Sequence, residues 1–276
     1  MQHREASFRT PDGLDLYLQD WRPETQAKAV LAIVHGFGEH SGRYKNVVDY
    51  FVPRGYTVSS FDLRGHGRSP GARGAIKSWS EFREDVRAFL RSVTEQEPGK
   101  PLFLYGHSLG GEIVLDYVLH YPEGLKGVIA SGPTLGEPGL SPVLITLSRI
   151  MSKIMPGMAM DTKLDATTIS RDPAVVKAYV EDPLVHSTGT ARLGTEVAQT
   201  AVWIQAHAGD LRMPLLVING EMDRLVNPED VRRFYENVSY PDKERIEYPG
   251  GFHEPHNDIE YPKVMADFER WVVKHL

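Results

Sequence analysis

Apolar residues along this 276-residue chain recur with two alternating periods. Short continuous runs at Val30–Val34, Tyr56–Phe61, Leu102–Tyr105, Gly127–Ala130, Leu215–Asn219 and Ile246–Tyr248 have the form of strands buried on both faces, as in a parallel sheet. Helical spacing takes over between them. Ser78-Trp79-Ser80-Glu81 reads as a capping box ahead of Phe82, Val86, Phe89, Leu90 and Val93. Asn227-Pro228-Glu229-Asp230 supplies a cap residue, proline at the first helical position and acids in the first turn. Val264, Phe268, Trp271 and Val272 share one face of a C-terminal helix. The first two apolar runs, Ala6–Arg9 and Leu14–Trp21, flank Thr10-Pro11-Asp12-Gly13, a turn signal that makes them an antiparallel hairpin at one edge. The pattern therefore predicts an α/β fold with an eight-stranded, mostly parallel sheet flanked by helices.

This rhythm breaks between Ser131 and Leu215, where roughly eighty residues carry helical patterns and no convincing strand. The stretch reads as an inserted helical cap, residues 133–210, on a core formed by residues 1–132 and 211–276. Its first helix is expected over Ser141–Met155. Leu140, Val143, Leu144, Leu147, Ile150, Met151, Ile154 and Met155 would share one face, with Ser148, Arg149, Ser152 and Lys153 opposite, and Pro156-Gly157 would stop it. Asp172-Pro173 caps a second helix through Tyr179, and Thr195–Ala208 reads as a third. No acid lies between Ser141 and Met160, so transient contact of the cap with a membrane or micelle surface is one reading. The favoured alternative packs that apolar face on the core or along an acyl channel, leaving some of it exposed.

Composition narrows the partners. Lys and Arg number 31 against 37 Asp and Glu, for a formal charge of -6 with neither sign gathered into a block, which argues against a nucleic-acid partner. No apolar run approaches the roughly 20 residues that a bilayer-crossing helix needs. Met1-Gln2-His3-Arg4-Glu5 does not open a secretory signal. Without cysteine the chain forms neither disulfides nor thiolate metal sites. A cytoplasmic location, with peripheral membrane contact as an option, is the resulting expectation; oligomeric state stays open.

The chemistry concentrates in three loops. Gly106-His107-Ser108-Leu109-Gly110 matches G-x-S-x-G and lies between a strand and the helical run Gly111–His120, the strand-turn-helix context of a nucleophile elbow. A serine hydroxyl needs a base, and the base needs a group that holds its tautomer. Asp223, after the strand Leu215–Asn219, is the expected acid, ahead of Glu221 and Asp210. His253, in the loop Pro249-Gly250-Gly251-Phe252-His253, is the expected base, with His256 as rival. Backbone amides of Leu109 and of Phe37, in His35-Gly36-Phe37-Gly38, would form the oxyanion hole. Such a serine mechanism requires neither metal nor organic cofactor. Arg64 and His66 follow a strand too, but their expected role is to hold the loop backbone.

Three longer motifs are more specific than the elbow. His35-Gly36-Phe37-Gly38-Glu39-His40-Ser41-Gly42-Arg43-Tyr44, Asp62-Leu63-Arg64-Gly65-His66-Gly67-Arg68-Ser69 and Gly106-His107-Ser108-Leu109-Gly110-Gly111 resemble the monoacylglycerol lipase family. Gly220-Glu221-Met222-Asp223-Arg224-Leu225-Val226 and Gly251-Phe252-His253 extend the likeness over the core from about Phe8 to Leu276. The resemblance implies the α/β-hydrolase fold with a helical cap and the hydrolysis of a small-molecule lipid ester to fatty acid and glycerol. It also implies head-group contacts from Glu39, Arg43, Tyr179 and His256. Lysophospholipase, broad carboxylesterase and peptidase activities use the same triad and stay as alternatives, and a non-catalytic binding protein on a hydrolase fold is the alternative from another class.

Overall fold

The computed structural model describes residues 1–136 and 150–276. Two strands, β1 (Gln2–Arg9) and β2 (Asp15–Arg22), form the edge hairpin that the Thr10–Gly13 turn predicts, and β2 runs antiparallel to β4 (Tyr56–Phe61). From β4 onward every pairing in the sheet is parallel, through β3 (Ala29–Val34), β5 (Leu102–His107), β6 (Gly127–Ser131), β9 (Leu215–Gly220) and β10 (Lys243–Tyr248). The strand order is β1-β2-β4-β3-β5-β6-β9-β10. Each expected strand is present, with its ends moved by at most a few residues.

Alternation along the central strands divides the core in two. Val30, Ala32, Val34, Leu102, Leu104, Val128, Ala130, Leu215 and Val217 face one layer. There they meet Phe82, Val86 and Phe89 of α2 (Ser80–Gln96), Ile113 and Val114 of α3 (Leu109–His120), and Val231 and Phe234 of a helix over Pro228–Asn237. Leu31, Ile33, Phe103, Tyr105, Ile129, Leu216 and Ile218 face the other. These pack on α1 (Lys45–Phe51) and on the C-terminal helix Tyr261–Lys274, whose Val264, Phe268, Trp271 and Val272 all point inward as their spacing requires. With helices on both faces, the loops at the carboxyl ends of the strands gather along one edge, where open α/β sheets bind ligands.

Helix starts agree with the sequence in two cases and depart from it in one. Asn227 accepts from the Glu229 amide at 3.1 Å and Asp172 from the Ala174 amide at 2.8 Å. At Ser78–Glu81 the capping box does not close. Glu81 reaches back one residue further, to the Lys77 amide at 2.8 Å, and the Ser78 hydroxyl pairs with that of Ser80 at 2.8 Å. The Trp79 amide is taken by Glu196 at 2.9 Å, so a tertiary partner replaces the local cap.

Between β6 and β9 the described residues contain a helical turn at 150–154, α4 (Pro173–Glu181) and α5 (Ala191–His207). The last starts four residues earlier than its periodicity suggests, because Thr190 caps it through the Leu193 amide at 3.2 Å. Two three-residue strands, β7 (Ala159–Asp161) and β8 (Thr188–Thr190), pair antiparallel where no strand was expected; three residues are too few for an alternation to be legible. Most of the expected helix Ser141–Met155 lies outside the described residues. In its last turn Ser152 is buried while Ile150, Ile154 and Met155 are exposed, contrary to the expected faces, whereas Lys153 is exposed and Met151 half-buried. Just after this turn the Ala191 and Arg192 amides donate to the Met158 and Pro156 carbonyls. Among the described residues no helix is long and apolar enough to cross a membrane.

Arg64 is structural, but its side chain bonds carboxylates of neighbouring segments and not the loop backbone as expected. Its guanidinium forks onto buried Asp85 at 2.7 Å through two nitrogens, reaches Asp12 of the hairpin turn at 3.0 and 3.2 Å, and lies 3.0 Å from Glu81. His66 Nδ1 bonds the Arg64 carbonyl at 3.0 Å. Burial pushes the Asp85 carboxyl up to about 6 even beside Arg64. Arg64→Ala is expected to cost about 3–5 kcal/mol at neutral pH by stranding that carboxyl. A side chain whose folded pKa is raised loses stability as pH rises, so the deficit in thermal unfolding should be larger at pH 8 than at pH 5. Equal Tm values for mutant and parent would refute the assignment.

Candidate active site

Ser108 sits between the end of β5 and the first residue of α3, at φ 53° and ψ -119°. A non-glycine residue rarely adopts this conformation, and holding it costs of order 1–3 kcal/mol. Neighbouring close approaches leave no alternative. A Cβ on Gly110 would stand 2.1 Å from the Val34 carbonyl oxygen, and one on Gly106 would stand 2.2 Å from that of Gly110. Glycine at both positions lets strand, turn and helix nest closely enough to lift the serine between them.

The expected acid and base, Asp223 and His253, follow β9 and β10. Asp223 lies three residues beyond β9, where its Oδ1 accepts from the Leu225 and Val226 amides at 2.8 and 3.0 Å. Its Oδ2 is left for His253 Nδ1, 2.7 Å away, with both side chains almost wholly buried. Burial opposes the imidazolium, yet the Asp223 carboxylate, followed by Glu254 and Glu39, holds His253 above the usual imidazole range. The weaker candidates fall elsewhere: Glu221 accepts from the Gly250 amide at an exposed turn, and Asp210 precedes β9 at the opposite end of the strand. His107 packs its ring 4.8 Å from that of His253.

Phe37 and Leu109 also converge here. Among the described residues neither amide is taken up by an acceptor within the protein. Gly36 brings the loop close, since a Cβ there would stand 3.1 Å from Ser108 Cβ. A small cavity of about 30 Å³ lies over these groups, lined by Phe37, Ser108 and His253, by Glu39, Arg43, Tyr179 and Glu254, and by the apolar Leu164, Ile169 and Leu225.

The four residues implied as head-group contacts fare differently. Glu39 and Arg43 are no solvated pair: Arg43 Nη1 donates to Glu39 Oε2 at 2.7 Å with both side chains buried. Glu39 Oε1 accepts from the Gly36 amide at 2.6 Å and from the Tyr44 hydroxyl at 2.8 Å. Tyr179, on α4, stacks its ring 4.6 Å from the Arg43 guanidinium and faces the cavity. His256 is not brought to the cavity wall. It is fully buried, stacked on Tyr44 at 4.9 Å and 4°, with Nδ1 3.2 Å from the Tyr105 hydroxyl; burial drives it down to about 4 and keeps it neutral.

The profile of the family described as serine aminopeptidase, S33, matches residues 25–260. A monoacylglycerol lipase of Mycolicibacterium smegmatis is 37% identical over 99% of this chain and 98% of its own length. The chain belongs to this serine hydrolase family. The crystal structure of the Paleococcus ferrophilus monoacylglycerol lipase superposes with a TM-score of 0.83 at 33% identity, covering 100% of both chains. A Saccharomyces cerevisiae monoglyceride lipase in complex with a substrate analogue gives 0.87 at 24% identity over 100% and 96%, and bears on the fold alone. This serine hydrolase is thus an ester-hydrolysing enzyme of the α/β-hydrolase fold.

Two parts of the site escaped the sequence. Glu254 grips Arg43 with both carboxylate oxygens, at 2.7 and 2.8 Å, although the two residues are 211 positions apart. His40 Nε2 meets Asp182 at 2.9 Å, tying the oxyanion loop to the segment that follows α4, where the His186 amide also donates to the Gly38 carbonyl at 2.8 Å. In the hydrolase sequence the only available hint was position: Glu254 follows the base and Asp182 precedes a proline.

Proposed function

We propose that this serine hydrolase cleaves monoacylglycerols, with Ser108 as nucleophile, His253 as base and Asp223 as the acid that orients it. The carrying observation is the lining of the cavity over Ser108, which joins Arg43 and Tyr179 to Leu164, Ile169 and Leu225, a mixture suited to an ester with a polar head and an apolar tail. Full-length relatives named monoacylglycerol lipase support the same substrate.

In this scheme Ser108 Oγ attacks the ester carbonyl carbon while His253 takes the hydroxyl proton, and the Phe37 and Leu109 amides hold the developing oxyanion. Asp223 steadies the imidazolium. Collapse expels glycerol, which receives the proton from His253. Water then gives its proton to His253 as it attacks the acyl-enzyme, and the fatty acid leaves with Ser108 restored. The head group would lie against Tyr179 and the edge of Arg43, since the Glu39 oxygens are already occupied and His256 would first have to leave its stack on Tyr44. The exposed Ile154, Met155 and Met160 would present apolar area to a lipid aggregate.

The test compares kcat/KM for a monoacylglycerol, the matching lysophosphatidylcholine, a short-chain p-nitrophenyl ester and an aminoacyl anilide. Preference for the monoacylglycerol by roughly ten-fold or more is expected, the scale of one well-made polar contact. Comparable ester rates would reduce the protein to a general esterase, and a lead for the anilide would make it the peptidase that the family description names.

A further inference from the structure

An unbroken chain of charged hydrogen bonds links the loop that bears the base to the loop that bears an oxyanion donor. It starts at the Gly36 amide, next to Phe37, which donates to Glu39 Oε1 at 2.6 Å. Glu39 Oε2 accepts from Arg43 Nη1 at 2.7 Å, and the same nitrogen donates to Glu254 Oε1 at 2.7 Å. Arg43 Nη2 donates to Glu254 Oε2 at 2.8 Å, and that oxygen also accepts from Asn257 Nδ2 at 2.9 Å. The next residue back along the chain from Glu254 is His253.

Two features make this more than packing. Every oxygen of both carboxylates is engaged, and all three side chains are less than a tenth exposed, so the bridge has few alternative arrangements. A buried ion pair is a poor source of stability compared with apolar residues of similar shape, which leaves its presence beside the base to be explained by something other than folding. Charge is the second feature. One guanidinium stands between two carboxylates, so the bridge carries a net negative charge next to the imidazole that must become positive during turnover. Burial opposes both charges and the partners outweigh it: Arg43 is held strongly protonated by Glu254 and Glu39, and Glu254 is held ionised below the usual carboxylate range by Arg43.

We propose that Glu254 is a positioning residue for catalysis: through Arg43 and Glu39 it locks His253 and the Phe37 amide in one register and supplies the negative charge that favours the imidazolium. The proposal rests on the assignment of His253 as base. Other charged or titratable groups around the imidazole are Asp223 from the loop after β9, His107 at the end of β5 and His256 on the same loop as His253, together with Glu39 and Arg43 from the bridge. From the segment between β6 and β9 the described residues that line the cavity are Leu164, Ile169 and Tyr179, none of them a carboxylate or cation.

Glu254→Gln keeps the shape and removes the charge. The acid limb of its pH profile for kcat/KM is expected to move about half a pH unit or more toward acid, and kcat to fall about ten-fold or more with KM little changed, as for a base held slightly out of line. Glu254→Asp keeps the charge and shortens the reach, so kcat and the rate of Ser108 labelling by a fluorophosphonate should fall while the acid limb stays in place. If Glu254→Gln does not fold, the aspartate variant carries the test. Variants that lower only Tm, with kcat, acid limb and labelling rate as in the parent, would overturn the inference and leave the bridge a tether. Absence of labelling at Ser108 in the unmutated enzyme would instead overturn the triad itself, so the two failures are distinguishable.

Discussion

Ser108→Ala is expected to lower kcat/KM toward monoacylglycerol by roughly 10⁵-fold or more, with the thermal unfolding midpoint close to that of the parent. Removing the nucleophile of a serine hydrolase leaves only what binding and the oxyanion amides supply, and that residue of catalysis amounts to about 10³–10⁴ over water. The fold should tolerate the change because alanine meets the same demand as serine at φ 53°, and Gly106 and Gly110, which permit the turn, are untouched. Steady-state turnover, fluorophosphonate labelling and thermal unfolding measured on one preparation check all three points. Turnover that survived the substitution would sink the assignment, and so would labelling at another residue.

Asp223→Asn should cost about 10³–10⁴-fold in kcat, for a reason legible in the hydrogen bonds. Two backbone amides, of Leu225 and Val226, already donate to Oδ1, so an asparagine there keeps its carbonyl oxygen on that side. Its NH₂ then faces His253 Nδ1, where the parent has a carboxylate oxygen at 2.7 Å. A donor in that place favours the imidazole tautomer with its proton on Nε2, which cannot accept from Ser108. The same change removes the main group holding His253 above the ordinary imidazole range, against burial that pulls it down. The parent therefore loses activity as pH falls through a raised pKa, and the residual activity of Asp223→Asn should lose it only at lower pH. A pH profile of kcat/KM for both enzymes decides the matter. Loss of rate with an unmoved acid limb would mean that Asp223 does not govern the base.

Strands were legible because burial on both faces leaves continuous apolar runs, and Tyr56–Phe61 has the same bounds in pattern and structure. Asn227 and Asp172 cap their helices as expected because a cap is a contact between residues two or three apart. The same reasoning failed at Ser78–Glu81, where Glu196 from another helix takes the Trp79 amide and Arg64 draws on Glu81. It failed again at residues 150–155, where Ser152 is buried and Ile150, Ile154 and Met155 are exposed.

The site divides along the same line. Ser108, Asp223 and His253, the proposed triad, could be singled out in the sequence because each follows a strand and a triad has a fixed order along the chain in this fold. Glu39 and Arg43 could be named too, but as a pair four apart they looked like a surface contact. Only the tertiary structure brings Glu254 onto Arg43 from 211 residues away, stacks His256 under Tyr44, and joins His40 to Asp182. Periodicity, caps and turn chemistry are local properties that a sequence carries on its face. The pairing of buried charges depends on which loops the sheet order makes neighbours, and no local signal encodes that.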